Sequence, residues 1–188
     1  MILFRLPEDI AIHCPVEDRQ YGTVTDRLCC AAIMFKRGIR EKKGKLKAVI
    51  TQNIDGLHQK AGSKNVLELH GSVHRNYCQI CNKSYDLDYI LSSDGIPRCE
   101  CGGIIKPDVV LYEEPLNNAI LSFSVDYISN ADTLIIGGTS LVVYPAAGLI
   151  NYFNGKNLVL INKSETPYDN MASLVINDAI GEVFSKIR

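Results

Sequence analysis

Four polar residues follow two short apolar runs near the middle of the chain. They are Gln52, Asn53, Asp55 and His70. The first three follow the run Ala48–Thr51, and His70 follows Val66–Leu69. An imidazole titrates near neutral pH, so His70 could act as a general base, while an amide and a carboxylate could orient a polar substrate. A histidine that follows a strand can equally be a packed or capping residue, so the pattern alone leaves both interpretations open.

The two apolar runs have the length and composition of buried β-strands. In an open α/β sheet, ligands bind outside the carboxyl ends of the strands, so we expect the four polar side chains at one edge of a sheet. Three more strands are predicted, at Thr133–Ile136, Leu158–Ile161 and Leu174–Asn177. Helices are predicted at Asp55–Ala61, at Pro115–Asn130 and near the C-terminus. The core-facing residues predicted for the last two helices are Leu116, Ile120, Phe123, Tyr127 and Ile128, and Ile180, Val183, Phe184 and Ile187.

A second group of reactive residues is formed by cysteines. Cys78-x-x-Cys81 is followed by Cys99-x-Cys101, with Gly102-Gly103 directly behind. Two thiolate pairs on tight turns are typical of a structural zinc site, and glycines give the shorter C-x-C turn its freedom. The alternatives are a redox dithiol or unrelated buried cysteines, and His74 is a possible substitute ligand. With four thiolates and no open position, the metal would be structural.

The composition is that of an ordinary globular protein, with 46% hydrophobic residues and a net charge of -1 in 188 residues. This balance gives no global electrostatic case for nucleic acid binding. Only one segment, Lys36–Lys47, is locally basic, and it is interpreted as a solvated helix end and loop or as a site for an anionic partner. A helix is predicted to begin at Thr25 or Asp26 and to end near Gly38. The remaining cysteines, Cys14, Cys29 and Cys30, show no ligand spacing and are interpreted as buried small hydrophobic residues.

Two segments bear on the cellular compartment. The apolar start of the chain is broken by Arg5 and Pro7, unlike a secretory signal. The uncharged segment Thr133–Gly155 is long enough to span a bilayer, but Gly137-Gly138-Thr139-Ser140 and Pro145 divide it into a strand, a polar loop and a short helix. We therefore expect a cytoplasmic protein without a membrane segment, in which the seven cysteines serve metal or thiol roles.

Several motifs in a fixed order resemble one known family. TQNIDGLH at 51–58 and LELHGS at 67–72 precede the cysteine module, and GGTSLVVYPA at 137–146 and NLVLINKSETPYD at 157–169 follow it. From about Gly44 to the C-terminus the chain resembles the bacterial sirtuins, which are NAD-dependent protein deacylases. The resemblance implies removal of an acyl group from a lysine side chain of a protein or peptide, with transfer to ADP-ribose and release of nicotinamide. It also implies that the zinc is structural.

The resemblance assigns roles to individual residues. His70 would be the general base that takes a proton from the ribose hydroxyls, and Asn53 would position ribose or water. Ile54 and Asp55 would hold the nicotinamide carboxamide, next to Gln52. The other expected NAD contacts are Gly138, Thr139, Ser140, Asn162, Lys163, Ser164 and Ala179. The expected peptide contacts are Val109, Val110, Tyr112, Val142, Val143 and Tyr144.

The segment KPDVVLYEE at 106–114 departs from the family pattern R-P-x-V-V-x-F-G-E. Tyr112 stands in place of Phe and Glu113 in place of Gly. In sirtuins this segment pairs with the substrate peptide as an added β-strand, so the peptide preference could differ here. A plain core strand is the alternative interpretation of Val109–Leu111.

The N-terminal segment shows no such resemblance. Sirtuins begin with a strand and a glycine-rich loop of the form G-A-G-x-S, which lets backbone N–H groups approach a pyrophosphate. The glycines before residue 50 are Gly22, Gly38 and Gly44, and each is isolated. The chain is interpreted either as a truncated or rearranged family member or as one whose N-terminus differs from the native gene product.

The sequence therefore predicts an α/β fold, a Rossmann-like parallel sheet with a small inserted zinc-ribbon module. We expect the NAD-binding domain at 45–72 and 106–188, the zinc module at 73–105 and an unassigned segment at 1–44. The predicted function is NAD-dependent protein-lysine deacetylation. One alternative is an impaired sirtuin-like protein that binds acylated peptide or ADP-ribose without turnover, and another is a zinc-ribbon interaction module. Acyl-chain preference, substrate proteins and oligomeric state are left open.

Overall fold

The computed structural model describes residues 46–186 and, as backbone strands only, Ile2–Arg5 and Asp9–Cys14. The predicted helix from Thr25 or Asp26, Cys29 and Cys30, and all of the basic segment except its last two residues lie outside the described residues, as does the side chain of Cys14. In the described part, no helix combines the length and apolar character needed to cross a bilayer.

The larger sheet has seven strands in the order β10-β9-β8-β1-β2-β3-β4. Its strands are β1 (Ile2–Arg5), β2 (Asp9–Cys14), β3 (Leu46–Thr51), β4 (Val66–Glu68), β8 (Thr133–Gly137), β9 (Asn157–Ile161) and β10 (Leu174–Ile176). The pairs β2–β3, β3–β4, β8–β9 and β9–β10 are parallel. Both antiparallel pairs involve β1, which lies between β2 and β8. The predicted parallel sheet is thus confirmed, with one antiparallel strand inserted in it.

Alternation of buried side chains explains why both faces of this sheet are covered. Along β3, Ala48 and Ile50 pack into one cluster, while Val49 packs into a second one. Successive side chains of a strand point to opposite faces, so a strand buried on both faces is a continuous apolar run. The first cluster includes Ile128 of the helix Asn118–Ser129, and the second includes Phe184 of the helix Ile180–Ser185.

The helices are α1 (Leu57–Lys60), α2 (Leu87–Ser92), α3 (Asn118–Ser129) and α4 (Ile180–Ser185), with 3-10 turns at Ala146–Tyr152 and Asp169–Met171. Helix α3 begins after Pro115 because the Asn117 side chain caps it, accepting hydrogen bonds from the N–H groups of Ala119 and Ile120. The predicted start at Pro115 is therefore wrong by three residues. Ile187, expected on the core face of the last helix, lies outside the described residues.

The prediction for one residue of the core face of α3 is wrong. Phe123 is 54% exposed, and the neighbouring Ser124 is fully buried instead. The Ser124 hydroxyl donates to the Ile120 carbonyl at 2.7 Å, which satisfies its only donor within the helix. A small residue at this position therefore lets the helix approach the sheet.

A second, antiparallel sheet has three strands in the order β6-β5-β7. They are β5 (Gly71–Cys78), β6 (Ser84–Tyr85) and β7 (Ile105–Val109). Helix α2, which the sequence did not predict, lies between β6 and β7 and is capped by the Asp86 side chain. Strand β5 follows directly from His70, so the second sheet is joined to the first at the predicted general base.

Candidate active site and metal site

The strands of the larger sheet bring all the predicted NAD contacts to one edge. Strand β3 runs parallel to β2, and β1 runs antiparallel to both β2 and β8, so β8 has the same direction as β3. The carboxyl ends of β3, β4, β8, β9 and β10 therefore lie at the same edge, where ligands bind in such sheets. Two groups of residues result, one after β3 and β4 and one after β8, β9 and β10, with β1 and β2 between them.

His70 is held at the end of β4 by backbone contacts on both sides. Thr51 is paired with Glu68, and the Leu69 N–H donates to the Thr51 carbonyl at 2.8 Å, so β3 and β4 end together. On the other side, the Val110 N–H donates to the His70 carbonyl at 3.1 Å. The structure thus places the predicted base between the two sheets.

The imidazole of His70 is half-buried, and burial lowers its pKa from the ordinary value. A hydrogen bond to the Gln52 main chain acts in the opposite direction on the same pKa, by favouring the protonated ring. The ring is therefore neutral at neutral pH and able to accept a proton. Gln52, His70 and the loop after β3 are brought together, as the sequence predicted.

The loop after β3 contains an acceptor with no partner among the described residues. The Asn53 Oδ1 atom is buried and unbonded, while the Asn53 N–H donates to the Thr51 hydroxyl at 3.0 Å. The Asp55 side chain accepts from the Leu57 N–H at 3.0 Å, at the start of helix α1. A buried acceptor without a partner is costly unless a ligand or water satisfies it, so this loop fits a polar ligand such as the ribose and amide groups of NAD.

The second group of residues surrounds the carboxyl end of β8. Gly138 is exposed and has a φ of 66°, and its N–H donates to the Ile161 carbonyl at 2.9 Å. The Thr139 hydroxyl is turned into the loop and accepts from the Leu141 N–H at 3.0 Å, while Ser140 is exposed. An exposed glycine and hydroxyl at a strand end fit a nucleotide, because backbone and hydroxyl groups can approach phosphate or ribose oxygens there.

The remaining predicted NAD contacts follow β9 and β10 at the same edge. The Asn162 side chain donates to the Ser164 carbonyl at 2.9 Å, which folds the loop back on itself, and Lys163 is exposed. Ala179 precedes helix α4, and its N–H donates to the Asp178 side chain at 2.7 Å. These residues are close along the sheet edge to Gly138 because β8, β9 and β10 are neighbours.

The predicted peptide segment lies at an edge of the smaller sheet. Strand β7 pairs with β5 and is the last strand in the order β6-β5-β7. Pro107, which cannot donate to a neighbouring strand, lies within it, as is usual for an edge strand. Tyr112 is 94% exposed and Leu111 is 56% exposed, so the alternative of a plain core strand is wrong for this end of the segment.

Two more of the predicted peptide contacts are exposed aromatic or aliphatic residues after β8. Val142 is 57% exposed and Tyr144 is 66% exposed, while Val143 is half-buried. The Tyr144 and Tyr168 hydroxyls lie 3.0 Å apart. Exposed apolar side chains of this kind are suited to contacts with an extended peptide.

The four predicted metal-binding cysteines are gathered at one point. Their sulfur atoms all lie within 4.8 Å of one another, with Cys78 and Cys101 3.4 Å apart and Cys81 and Cys99 3.5 Å apart. Sulfur ligands about 2.3 Å from a tetrahedral zinc ion are roughly 3.8 Å from each other, so the cluster fits zinc. The interpretation as unrelated cysteines is wrong. His74 is not part of the cluster, because its Nε2 atom lies 3.0 Å from the Asp55 carbonyl instead.

Glycines and hydrogen-bond donors shape the metal site. Gly102 has a φ of 85°, and a Cβ on Gly103 would lie 2.6 Å from the Cys78 sulfur, so the short C-x-C turn requires both glycines. The Tyr85 hydroxyl donates to the Cys99 sulfur at 3.0 Å, and this bond, together with one from the Cys101 N–H, lowers the pKa of that thiol to about 6. This tyrosine was not predicted, since only the cysteine spacing gave a signal.

Two further features were not predicted. His58 is buried, and neither ring nitrogen has a hydrogen-bond partner among the described residues. Burial lowers its pKa to about 4, so the ring is neutral. The buried carboxylate of Glu68 binds both Gln59 and Arg75, at 2.8 and 2.6 Å. Neither arrangement has a spacing pattern that sequence reasoning could have used.

Comparison with known proteins agrees with this geometry. The family model for the Sir2 family matches residues 35–145, more than half of the chain. The NAD-dependent protein deacetylase of Clostridium perfringens is 69% identical over 149 residues, which are 78% of this chain and 61% of the relative. That of Clostridium acetobutylicum is 67% identical over 149 residues, with the same shares covered. The chain thus spans about three-fifths of the length of these curated relatives.

Solved structures give the same result for the fold. One described as a Sir2, p53 peptide and NAD+ complex has a TM-score of 0.79 and 32% identity, over 94% of this chain and 91% of that one. One described as the structural basis of sirtuin substrate affinity has a TM-score of 0.75 and 42% identity, over 83% of this chain and 66% of that one. With a family match over more than half of its residues, the chain belongs to the Sir2 family.

Proposed function

We propose that this protein is an NAD-dependent protein-lysine deacetylase that acts on acylated-lysine proteins or peptides. The observation that carries the proposal is the half-buried, neutral His70, bound to the Gln52 main chain at the carboxyl edge of the sheet. A neutral imidazole at this edge, in a Sir2-family chain, is suited to general-base catalysis. The deacetylases of the two Clostridium species support the assignment through their identity to this chain.

The chemistry that NAD supplies when bound is a reactive ribose carbon with nicotinamide as its leaving group, and the acyl group is passed to ADP-ribose. With NAD bound, His70 would take a proton from a ribose hydroxyl, and its lowered pKa keeps the ring unprotonated and available at neutral pH. Asn53 positions ribose or water through its unbonded Oδ1 atom. Ile54 and Asp55 hold the nicotinamide carboxamide, next to Gln52.

The other roles follow the sheet edge. Gly138, Thr139 and Ser140 would bind phosphate and ribose, the loop 162–164 would bind the adenosine ribose, and Ala179 would contact the adenine. The peptide adds a strand along β7 through Val109 and Val110, with Tyr112 and residues 142–144 beside it. The open edge of β7 and the exposure of Tyr112 support this arrangement.

The proposal includes a division of the chain and a cellular location. Residues 45–72 and 106–188 form the NAD-binding domain, 73–105 form the zinc module, and 1–44 stay unassigned. Zinc, held by Cys78, Cys81, Cys99 and Cys101, is structural, since four thiolates leave no open position. A cytoplasmic location is supported by these four cysteines, which form a metal cluster rather than disulfides, as is usual in a reducing compartment.

The direct experiment is release of nicotinamide from NAD in the presence of an acetyl-lysine peptide, followed for the wild type and for His70→Ala. The wild type should release nicotinamide only when both NAD and acetylated peptide are present. His70→Ala should lose the activity while keeping its zinc content and its circular dichroism spectrum. A variant that turns over at a wild-type rate would rule out His70 as the base.

A second candidate function is binding of acylated peptide or ADP-ribose without turnover. It is favoured by one observation, namely that none of Gly22, Gly38 and Gly44 belongs to a glycine-rich phosphate loop. Calorimetric titration with acetylated peptide and with ADP-ribose separates the two functions. Binding of both ligands without nicotinamide release would favour this candidate.

A further inference from the structure

The zinc module contains a tyrosine whose hydroxyl points at one of the four sulfur atoms. Tyr85, at the end of β6, donates to Cys99 Sγ at 3.0 Å. Cys99 is one of the two buried cysteines of the cluster, being 6% exposed, and Cys78 is 2% exposed. The partners Cys81 and Cys101 are exposed. The hydroxyl therefore reaches one of the two buried sulfur atoms of the cluster.

The neighbouring residues hold the Tyr85 ring in place. Its ring centroid lies 4.5 Å from that of Tyr89, with 43° between the ring planes. The Tyr89 hydroxyl donates to the carbonyl of Arg98, the residue before Cys99, at 2.8 Å. Lys83 lies 5.6 Å from the Tyr85 ring centroid. A side chain fixed in this way loses little conformational entropy when it makes its hydrogen bond.

Charge explains why a donor is needed here. Four thiolates around a dication carry a net charge of about −2, so hydrogen bonds to sulfur stabilise the loaded site. Main-chain N–H groups serve both pairs: those of Ile80 and Cys81 bond to the Cys78 sulfur, and that of Cys101 bonds to the Cys99 sulfur. The second pair is a C-x-C turn, one residue shorter than the usual C-x-x-C, and here the Tyr85 side chain adds a further donor.

We propose that Tyr85 is a positioning residue of the zinc site, whose hydroxyl holds the Cys99 thiolate in place and strengthens the binding of zinc. This role follows from the geometry of the site and does not depend on the proposed deacetylase activity. Removal of a hydrogen-bond partner of a metal ligand typically lowers metal affinity by about 10- to 100-fold.

The test is competition for zinc between the purified protein and a chelating dye, with Tyr85→Phe compared with Tyr89→Phe. Both variants lose one hydroxyl from the same ring pair, but only Tyr85 donates to sulfur. We expect Tyr85→Phe to bind zinc about 10- to 100-fold more weakly and Tyr89→Phe to change the affinity much less. Cys78→Ala, which removes a ligand, serves as the reference for a disrupted site. Equal affinities in the two phenylalanine variants would overturn the proposal, because packing alone would then explain any loss.

Cobalt substitution gives an absorption band whose position a change in packing does not alter. The sulfur-to-cobalt charge-transfer absorption depends on the electron density of the thiolates, and a lost donor should shift this band to lower energy in Tyr85→Phe. Tyr89→Phe should keep the wild-type band. A band at the same position in Tyr85→Phe and in the wild type would contradict a hydrogen bond to the metal-bound sulfur.

Discussion

Glu68 and Arg75 form an ion pair between the two sheets, with Arg75 Nη1 2.6 Å from Glu68 Oε2. The Glu68 side chain is 6% exposed and lies two residues before His70. Its other oxygen accepts from Gln59 of helix α1 at 2.8 Å, and Arg75 also pairs with Asp108 of β7 at 2.8 Å. One buried carboxylate thus connects the loop after β3, the strand before His70 and the proposed peptide strand.

We expect Glu68→Ala to lower the free energy of unfolding by about 2 kcal/mol, because the substitution removes two hydrogen bonds to a charged group whose side chain is buried. Urea unfolding followed by circular dichroism measures the change. Glu100→Ala is the matched control, since Glu100 pairs with Lys83 at 2.8 Å but is 82% exposed. Exposed pairs contribute little, so a loss as large in the control as in Glu68→Ala would contradict this account.

Gly71, directly after His70, has no room for a side chain. Its φ is 75°, and a Cβ there would overlap the Asp108 carbonyl oxygen. Gly71→Ala should therefore cost clearly more than Gly62→Ala, since Gly62 has a φ of 94° but no atom within 4 Å of its Cβ position. Gly62→Ala alone should lower the free energy of unfolding by about 1 kcal/mol through backbone strain. Thermal unfolding of both variants tests this, and equal losses would show that β5 and β7 do not approach so closely.

The buried His58 predicts a pH dependence of stability. Burial lowers its folded-state pKa to about 4, from 6.5 in the unfolded chain, so the unfolded state binds the proton more strongly. Stability should therefore fall as the pH drops below 6.5 and should level off below about 4. The size of the effect is about 3 kcal/mol.

Zinc loss also destabilises the protein in acid, so His58→Leu is needed as a reference. Loss of zinc affects both proteins equally. The difference between their free energies of unfolding at each pH therefore gives the contribution of His58 alone. The difference should change between pH 6.5 and pH 4. A difference that is constant over this range would mean that His58 is protonated in the folded state.

Activity should depend on pH through His70. Burial lowers its pKa, so the neutral base persists below the ordinary value of 6.5 and is lost only as the pH falls through the lowered pKa. The acid limb of the kcat/KM profile for acetylated peptide should therefore lie below pH 6.5. A limb above that pH would indicate a raised pKa or another essential group.

The positions of the candidate residues were predictable where they are close in sequence to a strand end or a turn. His70, Asn53 and the loop 138–140 follow strands, and four cysteines with short spacings imply one cluster, so local patterns predicted where these residues lie. Their proposed roles came from the resemblance to sirtuins. The Glu68–Arg75 pair and the Tyr85–Cys99 bond join separate elements of a folded sheet, and no local spacing encodes them.

Helix α3 shows a different limit of sequence reasoning. Hydrophobicity assigned Phe123 to the core face, yet the buried residue is Ser124, whose hydroxyl is satisfied by the Ile120 carbonyl. Periodicity counts apolar side chains, whereas packing against a sheet also selects for small ones. The inserted strand β1 is a further case, because its place between β2 and β8 depends on pairing partners far apart in the sequence.

The central claim is that this chain binds NAD at the carboxyl edge of its larger sheet, although Met1–Gly44 contains no glycine-rich loop. Isothermal titration of the zinc-loaded protein with NAD, in the presence and absence of an acetyl-lysine peptide, tests it most directly. The account predicts saturable binding of one NAD per chain, reduced by Asn53→Ala. No binding by a folded protein with its zinc in place would contradict the account, and the enzyme assignment for this chain would be withdrawn.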